Sequence, residues 1–283
     1  MMKTNEEVEE DNFKPVFKYY KSKKPPPQLD QVLDPRNPIE GQSLLKLVRS
    51  NGYLVKHVHL TDSKSWKILR MEKGIHVIRN PFKSEGISFW TQRCLQDFSK
   101  SVNNIQNSDW YCDVQKNPRL LDKLRWATLG YHHDWNTKEY KTDQKDWNFP
   151  PDLGELCQIL LRQIPEFEEL DYKAQAAIVN FYPLDATLSG HVDFSEPNKE
   201  APLVSISLGQ SAIFLIGGPS KKERPDAIFL RNGDVLVMSH QARQSYHAVP
   251  KILKCDEEFS EDDVFCNKYL TSHRINLNVR QVF

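Results

Sequence analysis

From residue 176 to the end, apolar residues recur every second position, and nothing between them repeats at helical spacing. In an extended chain successive side chains point to opposite faces, so this pattern demands strands with distinct faces rather than helices. The candidate strands are 176–182, 187–193, 202–209, 211–217, 226–231, 234–239, 244–249 and 274–282. About eight short strands with no helices between them point to a closed β architecture. Asn232-Gly233, between AIFLR and DVLVM, is the strongest hairpin signal in the chain, because a tight primed turn needs two residues tolerant of positive φ.

Upstream the pattern is mixed. Residues 152–163 carry Leu153, Leu156, Ile159 and Leu160 at helical spacing, with Asp152 and Glu155 placed for a capping box. Residues 42–50 and 91–101 are shorter helix candidates, and 102–150 reads as an irregular surface insertion rich in Asn, Asp, Lys, Trp and Tyr. The start is acidic, then basic-aromatic (KPVFKYYKSKK), then triple proline, which favours an extended arm. Phe13, Phe17, Tyr19 and Tyr20 give that arm apolar surface with which to pack onto the body. The expectation is an α+β chain in three parts: an N-terminal arm (1–35), helical support with a lid (36–150), and a jelly-roll core (151–283), the double-stranded β-helix.

Basic and acidic residues balance at 38 each, so net charge gives no sign of a polyanionic partner. The distribution is more telling: lysines cluster at Lys14–Lys24, a second basic stretch covers 64–93, and acids crowd into 256–263. A basic region can meet phosphates even in a neutral protein. Five scattered cysteines without Cys-x-x-Cys argue for reduced thiols rather than a disulfide framework or zinc finger. No apolar stretch approaches the roughly 18 residues a membrane span needs. The acidic start is unlike a secretory or mitochondrial presequence. An intracellular, monomeric protein is expected, in nucleus, cytoplasm or mitochondrion without distinction.

The chemistry concentrates in a few residues. His191 and Asp193 are two apart, so in a strand both face the same way, and His247 lies on a later strand. Two imidazoles and one carboxylate can occupy one face of octahedral iron(II) and leave three positions for a co-substrate and O₂. On the last strand Arg274, Asn276, Asn278 and Arg280 share one face, opposite Ile275, Leu277 and Val279. Four polar groups on an inward strand face are costly unless they bind something. A planar guanidinium at Arg274 suits the distal carboxylate of 2-oxoglutarate. A lone His-x-Asp is weak, since Asp193 could serve a turn and His247 a satisfied core position. His57 and His59 have no carboxylate companion, the adjacent pair His132-His133 would face opposite ways in a strand, and His240 and His273 stand apart. The conjunction of the motif, the later histidine and the arginine strand favours an iron(II)/2-oxoglutarate oxygenase.

Four segments then resemble the AlkB family of nucleic-acid demethylases: NFYPLDATLSGHVDFSE, SISLGQSAIFLIGG, GDVLVMSHQARQSYHAVP and RINLNVRQVF. The likeness is strong over about 120–283 and points to the branch represented by the first AlkB homologue of animals. It implies that His191, Asp193 and His247 hold iron(II), that Asn180 and Tyr182 hydrogen-bond 2-oxoglutarate, and that Arg274 pairs with its distal carboxylate. Asn276 and Asn278 match positions in the family's final motif, and Arg280 its second arginine, near the iron carboxylate. LRWATLGYHHDW resembles the nucleotide-recognition lid, which implies substrate roles for Tyr131, His132, His133 and Asp134, with Trp110 a further contact. The bland reading of Tyr131 and Trp135, plain loop packing, is about as good. Two departures stand out: Asn278 replaces the usual Thr, and Ser195-Glu196 stands where some members have an acid two residues after the iron carboxylate. The first bears on co-substrate affinity and the second on base preference.

The resemblance implies oxidation of methylated bases in tRNA or DNA, coupled to conversion of 2-oxoglutarate and O₂ to succinate and CO₂. The candidates are N1-methyladenosine in tRNA and N6-methyladenine in DNA, stripped as formaldehyde, and 5-methylcytosine in tRNA, oxidised in place. One rival is a protein-directed oxygenase, acting on a histone or another polypeptide through the same iron site. The other is a non-catalytic module on a degenerate jelly-roll, against which the intact ligand set and Arg274 speak.

Overall fold

The computed structural model describes residues 10–38, 46–48, 50, 58–100, 123–141, 148–255 and 264–283. Two antiparallel sheets carry the fold. The larger has eight strands in the spatial order β1 (Lys46–Val48), β2 (Ile68–Met71), β3 (Ile75–Ile78), β12 (Val235–Met238), β9 (Leu203–Gly209), β14 (His273–Arg280), β7 (Ala176–Pro183) and β4 (Trp126–Gly130). The smaller has four, in the order β11 (Asp226–Leu230), β10 (Ser211–Ile216), β13 (His247–Leu253) and β8 (Leu188–His191). A two-stranded ribbon, β5 (His133–Asp134) with β6 (Glu139–Tyr140), sits apart from both. The double-stranded β-helix expected from the sequence is present. Strands from 46–130 extend its larger sheet, in hydrogen-bonded continuity with strands from 176–280.

Alternation decides which face goes where. On β14, Ile275, Leu277 and Val279 join the cluster formed with α2 (Ser84–Gln92), α3 (Pro151–Arg162) and α4 (Val264–Leu270), while Arg274, Asn276, Asn278 and Arg280 line the cavity between the sheets. β7 repeats the division: Val179 and Phe181 pack outward, and Ile178, Asn180 and Tyr182 face in. Because helices cover the far side, both faces of β9 are buried.

The outer face of the smaller sheet is covered by the N-terminal segment, which is a helix rather than an extended arm: α1 (Phe13–Lys21). Phe13, Val16, Phe17 and Tyr20 fall at i, i+3, i+4 and i+7, a single stripe, and pack on Ile213, Leu215 and Ala248. Glycines make room for Phe13: a Cβ on Gly190 would lie 2.9 Å from its ring and one on Gly217 3.1 Å away. Burying an aromatic of this size contributes about 1.5–3 kcal/mol.

Several local expectations fail. The helix expected over 42–50 is a strand where the chain is described, Lys46–Val48, pairing with β2; its other residues, apart from Ser50, lie outside the described residues. Ser84–Gln92 begins the helix expected at 91–101 earlier, and it continues as a wider π-type turn over Arg93–Phe98. No capping box forms on α3, because the helix begins at Pro151 and Asp152 lies inside its first turn, where its carboxylate accepts from Arg93. Asn232-Gly233 makes a turn with positive φ at Gly233, but not a hairpin: β11 pairs with β10, and β12 with β3 and β9. Its polar groups are spent on a neighbour. The Gly233 N–H donates to Ser207 O at 2.7 Å and Asn232 Oδ1 accepts from Gly209 N–H at 2.9 Å, so the turn carries the chain from one sheet to the other.

Candidate active site

Sheet register assembles the centre. β8 and β13 are antiparallel and place His191 directly opposite His247, with ring centroids 4.2 Å apart. Asp193 lies just past the end of β8, yet its carboxylate still converges: Oδ1 is 3.9 Å from His191 Nε2 and Oδ2 is 4.0 Å from His247 Nε2. Among the described residues these three form the group of side chains able to hold a metal ion, their ligand atoms within 4.8 Å of one another. Each imidazole is oriented through its other nitrogen, His191 Nδ1–H to Ser189 O at 2.9 Å and His247 Nδ1–H to Ser245 O at 3.1 Å. That fixes the tautomer with the Nε2 lone pair turned to the centre, as a ligand requires. Burial, reinforced by His191, pulls His247 down to about 4, so it is neutral at physiological pH.

Burial alone would raise the Asp193 carboxyl. The Arg280 guanidinium outweighs it, helped by the two histidines, and holds Asp193 well below the usual carboxylate range. Arg280 Nη2 donates to Asp193 Oδ2 at 2.8 Å, and Arg280 Nε lies 2.9 Å from Glu196 Oε1. Glu196, 3% exposed, also accepts from Tyr140 Oη at 2.8 Å and from Arg243 Nη2 at 3.4 Å. A buried chain of alternating charge therefore runs Asp193–Arg280–Glu196–Arg243. Sequence reasoning noted Glu196 only as a departure from pattern and did not find Tyr140 or Arg243. Glu196 is buried in this network, where it backs Arg280 behind Asp193, and it also borders the side cavity beside His191 and Asp193. Ser195 is bonded at 2.9 Å to His133 Nε2.

The cavity between the sheets, about 510 Å³, is lined by the three metal-competent groups and by Asn180, Tyr182, Ser205, Arg274, Asn276 and Asn278 among others. Arg274 is only 2% exposed and gives one hydrogen bond, Nη2–H to Ser207 Oγ at 2.9 Å; its Nε and Nη1 have no protein partner. Tyr182 Oη, opposite Arg274 in the β7–β14 register, is likewise buried without one. Burial presses on both, lowering Arg274 to about 10 and raising Tyr182 to about 12. Buried polar groups are ordinarily bonded, so donors left open on a cavity wall mark where an anion is received. A dicarboxylate held at Arg274 and Tyr182, with its other end at the His–Asp–His face, fits this donor set, and the residues present fit iron(II) and 2-oxoglutarate. Asn276 is mostly committed to the protein, its Nδ2–H bonding Ser205 Oγ and Ile206 O, while Asn278 Nδ2–H donates to Asn276 Oδ1 at 3.1 Å.

The residues that the resemblance assigned to the substrate scatter. Trp110 lies outside the described residues. Tyr131 packs edge-on against Phe283, ring centroids 5.2 Å apart, and is not among the residues lining the central cavity. His132 Nδ1 bonds Thr128 Oγ1 at 2.7 Å, and Asp134 Oδ1 caps the β5–β6 turn through Asn136 and Thr137 N–H. His133 borders a side cavity of about 220 Å³ shared with His191 and Asp193. Two aromatics that sequence reasoning did not assign to the substrate stand at these openings. Trp135, 51% exposed, borders both cavities, and Phe194, 53% exposed, borders the smaller with Lys138 Nζ 5.5 Å above its ring. Trp135 follows Asp134 at the end of the stretch that resembles the lid, and Phe194 adjoins Asp193; these positions in the sequence were the signal available.

The profile of the 2OG-Fe(II) oxygenase superfamily matches residues 74–280. The human nucleic acid dioxygenase ALKBH1 is 32% identical, over 96% of this chain and 84% of its own length. The fission yeast Schizosaccharomyces pombe tRNA demethylase abh1 is 43% identical over 56% of this chain and 53% of its own. The solved structure of OsALKBH1 superposes with a TM-score of 0.56 at 19% identity, covering 76% of this chain and 99% of that one, which supports the fold. With a His–Asp–His centre and a buried arginine open to the same cavity, the chain belongs to the 2OG-Fe(II) oxygenase superfamily and, within it, to the AlkB family.

Proposed function

We propose that this chain oxidises methyl groups on the bases of nucleic acid, releasing those attached to nitrogen as formaldehyde. The observation that carries the oxygenase chemistry is Arg274, buried with two open donors, facing the cavity that holds His191, Asp193 and His247. The substrate class is supported by the relatives, a nucleic acid dioxygenase and a tRNA demethylase. It is supported too by the exposed rings of Trp135 and Phe194 at the openings, since base–aromatic stacking is worth about 1–3 kcal/mol per base.

His191, Asp193 and His247 would hold iron(II), and Arg274, Tyr182 and Asn180 would orient 2-oxoglutarate. When bound, iron and co-substrate couple oxidative decarboxylation, giving succinate and CO₂, to hydroxylation of the substrate methyl group. Arg280 keeps Asp193 ionised and aimed at the metal side. The apolar walls at Ile178, Leu188, Leu236 and Met238 exclude water from the reacting end. A hydroxymethyl group on a base nitrogen then leaves as formaldehyde. N1-methyladenosine in tRNA is the first substrate to test, beside N6-methyladenine in DNA and 5-methylcytosine in tRNA. Purified protein with iron(II) and 2-oxoglutarate is offered each, and a methylated histone peptide, with nucleoside mass spectrometry and formaldehyde as readouts. Loss of the methyl mark from a nucleic acid is expected; turnover of the peptide alone would overturn the reading.

A further inference from the structure

The function above leaves one charged surface unused. On α1, Lys14, Lys18 and Lys21 are exposed and follow each other at four and three residues, so they form one stripe alongside the apolar stripe of Phe13, Val16, Phe17 and Tyr20. No carboxylate pairs with any of the three among the described residues. Lys221 joins them from the loop after β10, which is pinned to the helix start: Asn12 and Phe13 N–H both donate to Lys221 O, at 2.9 and 3.1 Å, and Asn12 Nδ2–H donates to Lys222 O at 2.9 Å. The four lysines border a groove of about 520 Å³ with Phe17 and Asp11, the one acid on its rim among the described residues.

Position gives this groove its meaning. Its far wall is Ser189-Gly190, and those same two residues line the central cavity. One strand thickness therefore separates the lysines from the metal-holding face, and the next residue along is His191. The link is rigid, because Gly190 is the glycine that Phe13 of α1 packs against.

We propose that the lysine face of α1, with Lys221, is a track for the phosphodiester backbone that guides a nucleic-acid strand past the edge strand β8 while one base occupies the cavity. It rests on the nucleic-acid reading given above and adds where the backbone runs. The stripe from Lys14 to Lys21 spans about 10 Å at 1.5 Å per residue. Phosphates of one strand advance roughly 3.4 Å each along the axis of a duplex, so the stripe is long enough to meet up to about three of them when the strand is stacked, and fewer when it is extended. Such contacts position a strand without reading its sequence. A basic helix would also suit an anionic membrane surface, but the wall shared with the cavity favours the polymer that is being oxidised.

The test compares wild type with Lys14→Gln/Lys18→Gln/Lys21→Gln and with an off-groove control of equal charge, Lys64→Gln/Lys67→Gln/Lys173→Gln, on methylated tRNA and methylated single-stranded DNA. For the α1 triple, the Michaelis constant rises about tenfold, and the slope of its logarithm against log salt is shallower by about 2, near 0.7 per cation removed. A pure binding loss leaves kcat within about twofold, and the Michaelis constant for 2-oxoglutarate unmoved. A change confined to tRNA or to DNA names the polymer that uses the track. Equal effects in the control, or none in the α1 triple, overturn it while the catalytic reading stands. Loss of binding to anionic phospholipid vesicles with unchanged nucleic-acid kinetics assigns the face to membrane and overturns it too. A wild type that oxidises neither polymer removes the reading beneath.

Discussion

The iron and co-substrate frame and the segment 126–140, which overlaps the stretch expected to form a lid, obey different rules. In the frame, strand register places every group but Asp193, which lies just past β8: His247 opposite His191, Arg274 opposite Tyr182, Asn276 opposite Asn180. Counting by twos along the sequence therefore finds the right faces. In the lid that count breaks at Gly130, whose φ of +69° and close approach to Gln175 end β4 and turn the chain. Tyr131 N–H then bonds Gln175 O, its ring goes to Phe283, and the exposed ring reaching the cavity is Trp135, one residue beyond β5. A side chain set by pairing is legible from its neighbours; one set by a turn is not.

The sharpest way to break this contrast is at the metal face. His191→Ala and Asp193→Ala each abolish turnover of any substrate, but they part in stability. His191 is partly exposed, so its loss shifts unfolding by less than about 0.5 kcal/mol, in the range of surface substitutions. Asp193→Ala leaves Arg280 short of one partner, a loss of up to about 3–5 kcal/mol that Glu196 partly offsets. Activity in Asp193→Ala protein saturated with iron would refute the ligand set.

Arg274 comes next. Arg274→Lys keeps the charge but loses the planar fork, and raises the Michaelis constant for 2-oxoglutarate about 10–100-fold, the equivalent of one charged hydrogen bond of about 1.5–3 kcal/mol. Arg274→Met should raise the Tm of protein without metal or co-substrate, because it removes a buried guanidinium with unmet donors, and should abolish stabilisation by 2-oxoglutarate. A Tm that falls would mean that Arg274 serves the fold rather than a ligand.

Glu196→Gln tests the charge chain behind the frame. Removing its charge loosens Arg280 and, through it, Asp193, so iron affinity falls about 10-fold or slightly more, the usual cost of disturbing a ligand's support. Apparent iron affinity read from activity should fall while the Michaelis constant for nucleic acid holds. A changed choice among methylated bases would instead return Glu196 to the substrate side.

Much of the frame was legible because its residues are dear: four polar groups inside a sandwich need a reason, and the His-x-Asp spacing supplied it. What the sequence hid has physical causes. Asn232-Gly233 carries the turn chemistry of a hairpin, but whether two strands pair depends on which sheet each joins, and that is a long-range choice. Lys46–Val48 has helix-forming neighbours, yet pairing with β2 overrides local preference. The Glu196 network joins residues from 140 to 280, and no local spacing announces it. The triple proline after α1 favours an extended arm, although the helix's own apolar stripe has helical spacing.

The smallest effect separates the two aromatics of the lid. Trp135 is half exposed at both cavities and braced edge-on by Trp126, ring centroids 5.8 Å apart, and by His133 at 4.7 Å. A held, exposed ring is what stacking on a base requires. Trp135→Ala should raise the Michaelis constant for methylated nucleic acid by about 1–2 kcal/mol, the lower part of the range for base stacking, with succinate formation in the absence of nucleic acid unchanged. Tyr131→Ala should do the reverse. Its ring fills a small cluster with Tyr140, Ala176 and Val282, so the variant loses about 1–3 kcal/mol of stability and keeps its Michaelis constant. Tyr140 belongs to the same cluster and bonds Glu196, so some loss of iron affinity should accompany the Tyr131 change. If Tyr131→Ala instead weakens nucleic-acid binding at unchanged Tm, the ring must leave Phe283 when substrate arrives, and the lid moves on binding.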